Sequence, residues 1–147
     1  MKNPTEIYNG LLTEIERIMG KNTETSNFEL DNIGQRIFNK KYIGTFSSDK
    51  IPKLKKREMC IANLDSSKQP GSHWVSLYCN EMGRCYFYDS FGRTIKSFKN
   101  LQKKNKIIQE AKDYDPEQEY EESNCGQRCV AWLCCCEIMP MSDVLTI

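Results

Sequence analysis

Five of the chain's eight cysteines lie within twelve residues, in the stretch Glu121 to Met139 that reads EESNCGQRCVAWLCCCEIM. Thiols so placed could bind metal, form disulfides, fill a core or act as nucleophiles. Structural zinc sites want paired C-x2-C spacings or two cysteines with two histidines. Here the spacing is C-x3-C followed by three consecutive cysteines, and the chain has one histidine. Neighbours on a helix point about 100° apart, so Cys134, Cys135 and Cys136 cannot converge on one ion. No metal is expected. Free cysteine packs as a small hydrophobe, which is the expected role of Cys60, Cys79, Cys85, Cys129, Cys134, Cys135 and Cys136.

Cys125 differs from the rest because it follows Asn124, precedes Gly126 and opens an apolar run. At a helix N-terminus the dipole and the unpaired N–H groups favour an anion, and so a thiolate. Gly126 would let a substrate backbone come close, and Asn124 would position the loop or contact the peptide. A nucleophilic thiolate works with a base. The sole imidazole is His73, in PGSHWVSLYC, where it follows a Pro-Gly turn and starts an apparent strand. If HWVSLYC pairs with RCYFYD across the turn NEMG, Asp89 at the end of the second strand comes to lie beside His73. An acceptor there fixes the tautomer that serves the thiol.

The elements that must position these residues read as α+β. Asn3 is placed to cap a helix with Pro4 first and Glu6 third. Ile7, Leu11, Ile15 and Ile18 form its apolar face, and Gly20 ends it. Leu30, Ile33 and Ile37 suggest a second, short helix weakened by Gly34, and YIGTFSSDKIP reads as a loop. MCIANL, HWVSLYC and RCYFYD read as three strands. Ser97 to Ala111 returns to helical spacing through Phe98, Leu101, Ile107 and Ile108. The final stretch is apolar around most of its circumference up to Pro140, the profile of a buried helix starting at Cys125. The expected architecture is one domain, residues 1–147, with a small antiparallel or mixed central sheet packed by helices.

The formal net charge of +1 announces no polyanion partner globally. Two local clusters are basic, Lys53, Lys55, Lys56 and Arg57, and Lys103, Lys104 and Lys106. The first twenty residues carry Glu6, Glu14, Glu16 and Arg17 among their apolar positions, which fits neither a signal peptide nor a membrane span. The chain is expected to be intracellular and not secreted, in a reducing compartment where cysteines stay thiols.

Together these residues resemble the adenovirus-type cysteine endopeptidases, adenain, in the clan that includes SUMO-deconjugating proteases. The resemblance rests on His73-Trp74, on Asp89 followed by Ser-Phe-Gly, on Gln118, and on Asn124-Cys125-Gly126 at a helix start. It spans Tyr42 to Cys136. It implies a thiol protease in which Cys125 is the nucleophile, His73 and Asp89 complete a triad, and Gln118 lines the oxyanion hole seven residues before the cysteine. Trp74 would pack near the histidine or wall the substrate groove. Adenain has Glu where this chain has Asp89, the residue SUMO proteases use.

The resemblance further implies substrates that are viral precursor polypeptides cut after small residues, often glycine. It implies packaging in the virion of a virus, virophage or virus-like transposon. DNA or a peptide would be the activator, with DNA held through Lys53–Arg57 and Lys103–Lys106. The adenain cysteine that links to an activating peptide has no counterpart between Lys96 and Glu117, so that disulfide is not carried over. No cofactor and no membrane are expected, and the chain is expected to be a monomer. The competing readings are a ubiquitin-like deconjugase built on the same residues and a non-enzymatic cysteine-rich interaction module.

Overall fold

The computed structural model describes residues 2–21, 23–63, 73–92, 104–110 and 124–147. The first helix, α1 (Pro4–Met19), begins as its sequence dictates. Asn3 Oδ1 accepts the Glu6 N–H at 2.9 Å, Pro4 sits in the first turn, and Gly20 closes the C-terminus. Its buried face is rotated by one residue from the expected one. Tyr8, Leu12 and Ile15 are buried, while Ile18 is 71% exposed. The rotation brings the Tyr8 hydroxyl inward, where it finds a hydrogen-bond partner in Tyr88 at 2.7 Å.

Ser26 and Glu29 form a capping box that starts α2 (Asn27–Phe38). The helix runs on through Gly34. That residue is where the ring of Tyr42 packs, so closely that a Cβ would lie 2.6 Å from two ring carbons. A short 3-10 turn, Asn39–Lys41, then leads into the sheet.

Five strands line up in sequence order, β1 (Tyr42–Ser47), β2 (Met59–Asn63), β3 (Trp74–Cys79), β4 (Cys85–Tyr88) and β5 (Ile107–Glu110). The inner pairings are antiparallel and the two outer ones parallel. The three expected strands are the central ones, and the last two form the expected hairpin. Two expectations fail at the edges. Tyr42–Ser47 is a strand and not a loop, with an irregular register at Gly44, whose φ of +142° suits a bulge. Ile107–Glu110 is a strand and not the end of a helix, while residues 97–103 lie outside the described residues.

Alternation sorts the strand side chains onto two buried faces. Met59, Ile61, Tyr78, Tyr86 and Tyr88 join the helices in the larger core. Cys60, Ala62, Val75, Leu77, Cys79, Cys85 and Phe87 form the smaller one with Ile51 and Leu54. Asn105 fastens the approach to β5 by accepting the Leu54 N–H and donating to the Pro52 carbonyl, both at 2.8 Å. That tether brings the segment carrying exposed Lys104 and Lys106 to the one carrying exposed Lys53 and Lys55.

Helix α3 (Cys125–Ile138) packs against α1 and β3, and short α4 (Met141–Val144) follows Pro140. From Cys125 to Leu133 every residue of α3 is buried, including Gln127 and Arg128. No described helix is long and apolar enough to cross a membrane.

Gly34 gives a test in which two effects have opposite signs. In an open helix, Gly34→Ala would stabilise by about 1 kcal/mol through propensity. Against the Tyr42 ring the overpacking cost is about 1–3 kcal/mol. Urea unfolding of Gly34→Ala should therefore show a lower midpoint than wild type, and a higher one would contradict the packing described.

Candidate active site

The β3–β4 hairpin builds the acid–base pair. Ser76 faces Tyr88 in its register, and extending that register three residues outward on each strand sets His73 opposite Phe91. The two rings stack with centroids 4.5 Å apart. Asp89 follows β4 directly, and its turn holds it in place. Asp89 Oδ1 accepts the Phe91 N–H at 3.0 Å, and its carbonyl accepts the Gly92 N–H at 2.8 Å. The same Oδ1 lies 2.6 Å from His73 Nε2, with both side chains nearly sealed from solvent.

Cys125 comes from the first turn of α3, which is held against the hairpin. Ser76 Oγ donates to the Cys129 carbonyl at 3.3 Å, and Trp132 stacks on Tyr88 at 5.2 Å between centroids. Through these contacts Cys125 is brought close enough to the His73 ring to influence its protonation. With Nε2 turned to Asp89, Nδ1 is the ring nitrogen left to face the thiol. Burial alone would drive His73 towards its neutral form. The hydrogen bonds and charges of Asp89 and Cys125 outweigh that, so its pKa is raised above the ordinary value.

The neighbouring thiols are placed differently. Burial pushes those of Cys129 and Cys136 well above the usual range, Cys135 to about 12 and Cys134 to about 11. All eight cysteines are free. The described residues contain no cluster of three or more metal-ligating side chains.

The remaining sequence candidates divide. Trp74 is half-buried beside the site and donates its indole N–H to the Thr25 carbonyl at 3.2 Å. Gly126 faces inward, where a Cβ would lie 2.1 Å from Thr25 Oγ1 and 3.3 Å from Leu30 Cδ2. Its lack of a side chain thus serves the docking of the α1–α2 connection onto α3. Asn124 is buried, with its amide on Glu16 and Arg128. Gln118 lies outside the described residues.

Sequence reasoning passed over Gln127 and Arg128. Gln127 Nε2 donates to the carbonyls of Gly20 and Thr23, both at 2.9 Å. Arg128 spans Asn124 and Tyr8. The available signal was two long polar side chains in the first turn of a helix otherwise apolar all round, since buried polar groups require partners.

No family model matches the chain, and no curated protein matches it closely enough to mark a relative.

Because His73 is the sole histidine, its ring can be titrated by NMR without ambiguity. The wild-type midpoint should lie above about 6.5, and Asp89→Asn and Cys125→Ala should each lower it. The folded value exceeds the unfolded one, so this group's stabilisation is complete below about pH 6.5 and is lost as pH rises through the folded midpoint. A midpoint unmoved by Asp89→Asn would contradict the pairing.

Proposed function

We propose that the chain is a cysteine endopeptidase of the adenain type. The observation that carries this reading is the buried His73–Asp89 hydrogen bond of 2.6 Å at the open end of the hairpin, with Cys125 at the start of a buried helix near enough to act on the same ring. A structural histidine needs one satisfied nitrogen and no nucleophile. This one has a carboxylate on one side and a thiol at a helix N-terminus on the other.

In the proposed cycle the Cys125 sulfur, its proton held by His73, attacks the scissile carbonyl carbon. His73 returns the proton to the leaving amine as the C–N bond breaks. Water, deprotonated by His73, then hydrolyses the thioester and restores the thiol. Asp89 holds the ring and stabilises its charged form throughout. The oxyanion would be met by the backbone N–H of Cys125 and the side-chain amide of Gln118.

By the same resemblance the substrates are viral precursor polypeptides cut after small residues during virion maturation, inside the infected cell and within the particle. The exposed lysines that Asn105 draws together would hold the enzyme on DNA.

Three measurements test this. Incubated with a peptide library, the purified chain should release fragments ending in small residues, and Cys125→Ala should release none. Absence of cleavage by wild type, with or without added DNA, would count against a peptidase. Cleavage confined to a Gly-Gly-extended ubiquitin-like fusion would instead identify a deconjugase. Gln118→Ala should slow turnover by about a hundred- to a thousandfold with little change in stability, and a wild-type rate would remove Gln118 from the oxyanion role. DNA affinity should fall with a log–log salt slope of about −0.9 per phosphate contacted, and a slope near zero would remove DNA as a partner.

A further inference from the structure

The three long helices do not begin alike. Asn3 caps α1 and Ser26 caps α2 from extended backbone, with ψ of 168° and 164°, each accepting a backbone N–H of its own first turn. Asn124 stands at the same position before α3, and asparagine is among the strongest N-cap residues. Yet it sits at φ −102° and ψ 26°, and its side chain makes no capping hydrogen bond. This bridge conformation is sparsely populated and frequent at active sites.

The Asn124 amide is held elsewhere. Arg128 Nε donates to Asn124 Oδ1 at 3.1 Å, and Asn124 Nδ2 donates to Glu16 Oε2 at 3.3 Å. Arg128 is itself fixed at its other end. Its NH1 donates to the Tyr8 hydroxyl at 3.3 Å, which is hydrogen-bonded to Tyr88, the residue before Asp89. The carbonyl oxygen that would cap α3 is thereby occupied by a guanidinium braced on both α1 and β4.

We propose that Arg128 is a positioning residue that keeps Asn124 from capping its own helix, so that the first N–H groups of α3 remain directed at the Cys125 sulfur and the oxyanion. Without Arg128, Asn124 would relax to extended backbone and its Oδ1 would take the N–H of Gly126 or Gln127. The helix start would gain a hydrogen bond. The nucleophile would lose part of the field that favours its anion, and the peptide leading into it would turn. This inference rests on the reading of Cys125 as the nucleophile.

A purely structural role for Arg128 predicts something different. Cutting a buried side chain would then harm Cys125 whatever residue stood at 124, whereas a latch acting through the Asn124 amide becomes irrelevant once that amide is gone.

The test is the rate of Cys125 alkylation by iodoacetamide at pH 6, read by peptide mass spectrometry on the full chain. The proteins are wild type, Arg128→Leu, Asn124→Ala and the double variant. Arg128→Leu should slow labelling by about 5- to 30-fold, the kinetic equivalent of the ~1–2 kcal/mol an N-cap contributes. In the Asn124→Ala background the same change should have no effect. Hydrogen exchange at the Gly126 or Gln127 amide should slow in Arg128→Leu, as a new cap requires. If Arg128→Leu does not fold, Arg128→Lys keeps the charge but cannot span both partners, and it should show the same pattern at smaller amplitude. Equal rates in wild type and Arg128→Leu would overturn the proposal, as would slowing that persists in the double variant. Wild-type Cys125 labelling no faster than the other thiols would overturn the nucleophile reading itself, and the latch with it.

Discussion

Everything at this site depends on a helix that has nowhere to turn. From Cys125 to Leu133 each residue of α3 is buried, between α1 on one side and β3 on the other, so its rotation and its starting point are set by the core. A side chain in its first turn inherits that rigidity. Burying a helix all round commits its polar residues to partners: the Gln127 amide N–H groups reach the Gly20 and Thr23 carbonyls, and Arg128 reaches Tyr8 and Asn124. The two Gln127 bonds fasten the α1–α2 connection against the helix start. The constraint extends to Gly126, where Thr25 occupies the space a side chain would need.

Against that fixed helix the hairpin contributes a charge-bearing pair. The 2.6 Å contact between His73 and Asp89 would be worth little at the surface, where ion pairs contribute about 0–1 kcal/mol. With the carboxylate side chain sealed from water it instead sets the protonation of the ring. Burial and hydrogen bonding act on His73 in opposite directions, and the second prevails. For the nearby thiols of Cys129 and Cys136 burial is the largest influence, and it acts in the direction that keeps them protonated. One chain thus holds cysteines as core packing and a cysteine beside a base, distinguished by whether the imidazole lies nearby.

What the sequence made legible follows from range. The entry of α1 could be read from Asn3, Pro4 and Glu6 because capping is local, and the hairpin from NEMG because a tight turn brings adjacent strands together. His73 and Asp89 followed from that turn, helped by there being one histidine to consider. The edge strands β1 and β5 were not legible, since each pairs in parallel with a strand reached only through a long connection, and the spacing of Phe98, Leu101, Ile107 and Ile108 read locally as a helix. The face of α1 was misplaced by one residue because periodicity alone cannot weigh Tyr8 against Ile7. The partner of the Tyr8 hydroxyl lies 80 residues away, and Arg128 lies 120 away.

The central claim is that Cys125 and His73 share a proton. The pH dependence of iodoacetamide labelling at Cys125, followed site by site in wild type and His73→Ala, tests it most directly. The account predicts labelling that stays fast well below pH 8 in wild type and is slowed by loss of the imidazole, while the buried cysteines react slowly in both proteins. Labelling at Cys125 that matches the other cysteines and is indifferent to His73 would contradict it.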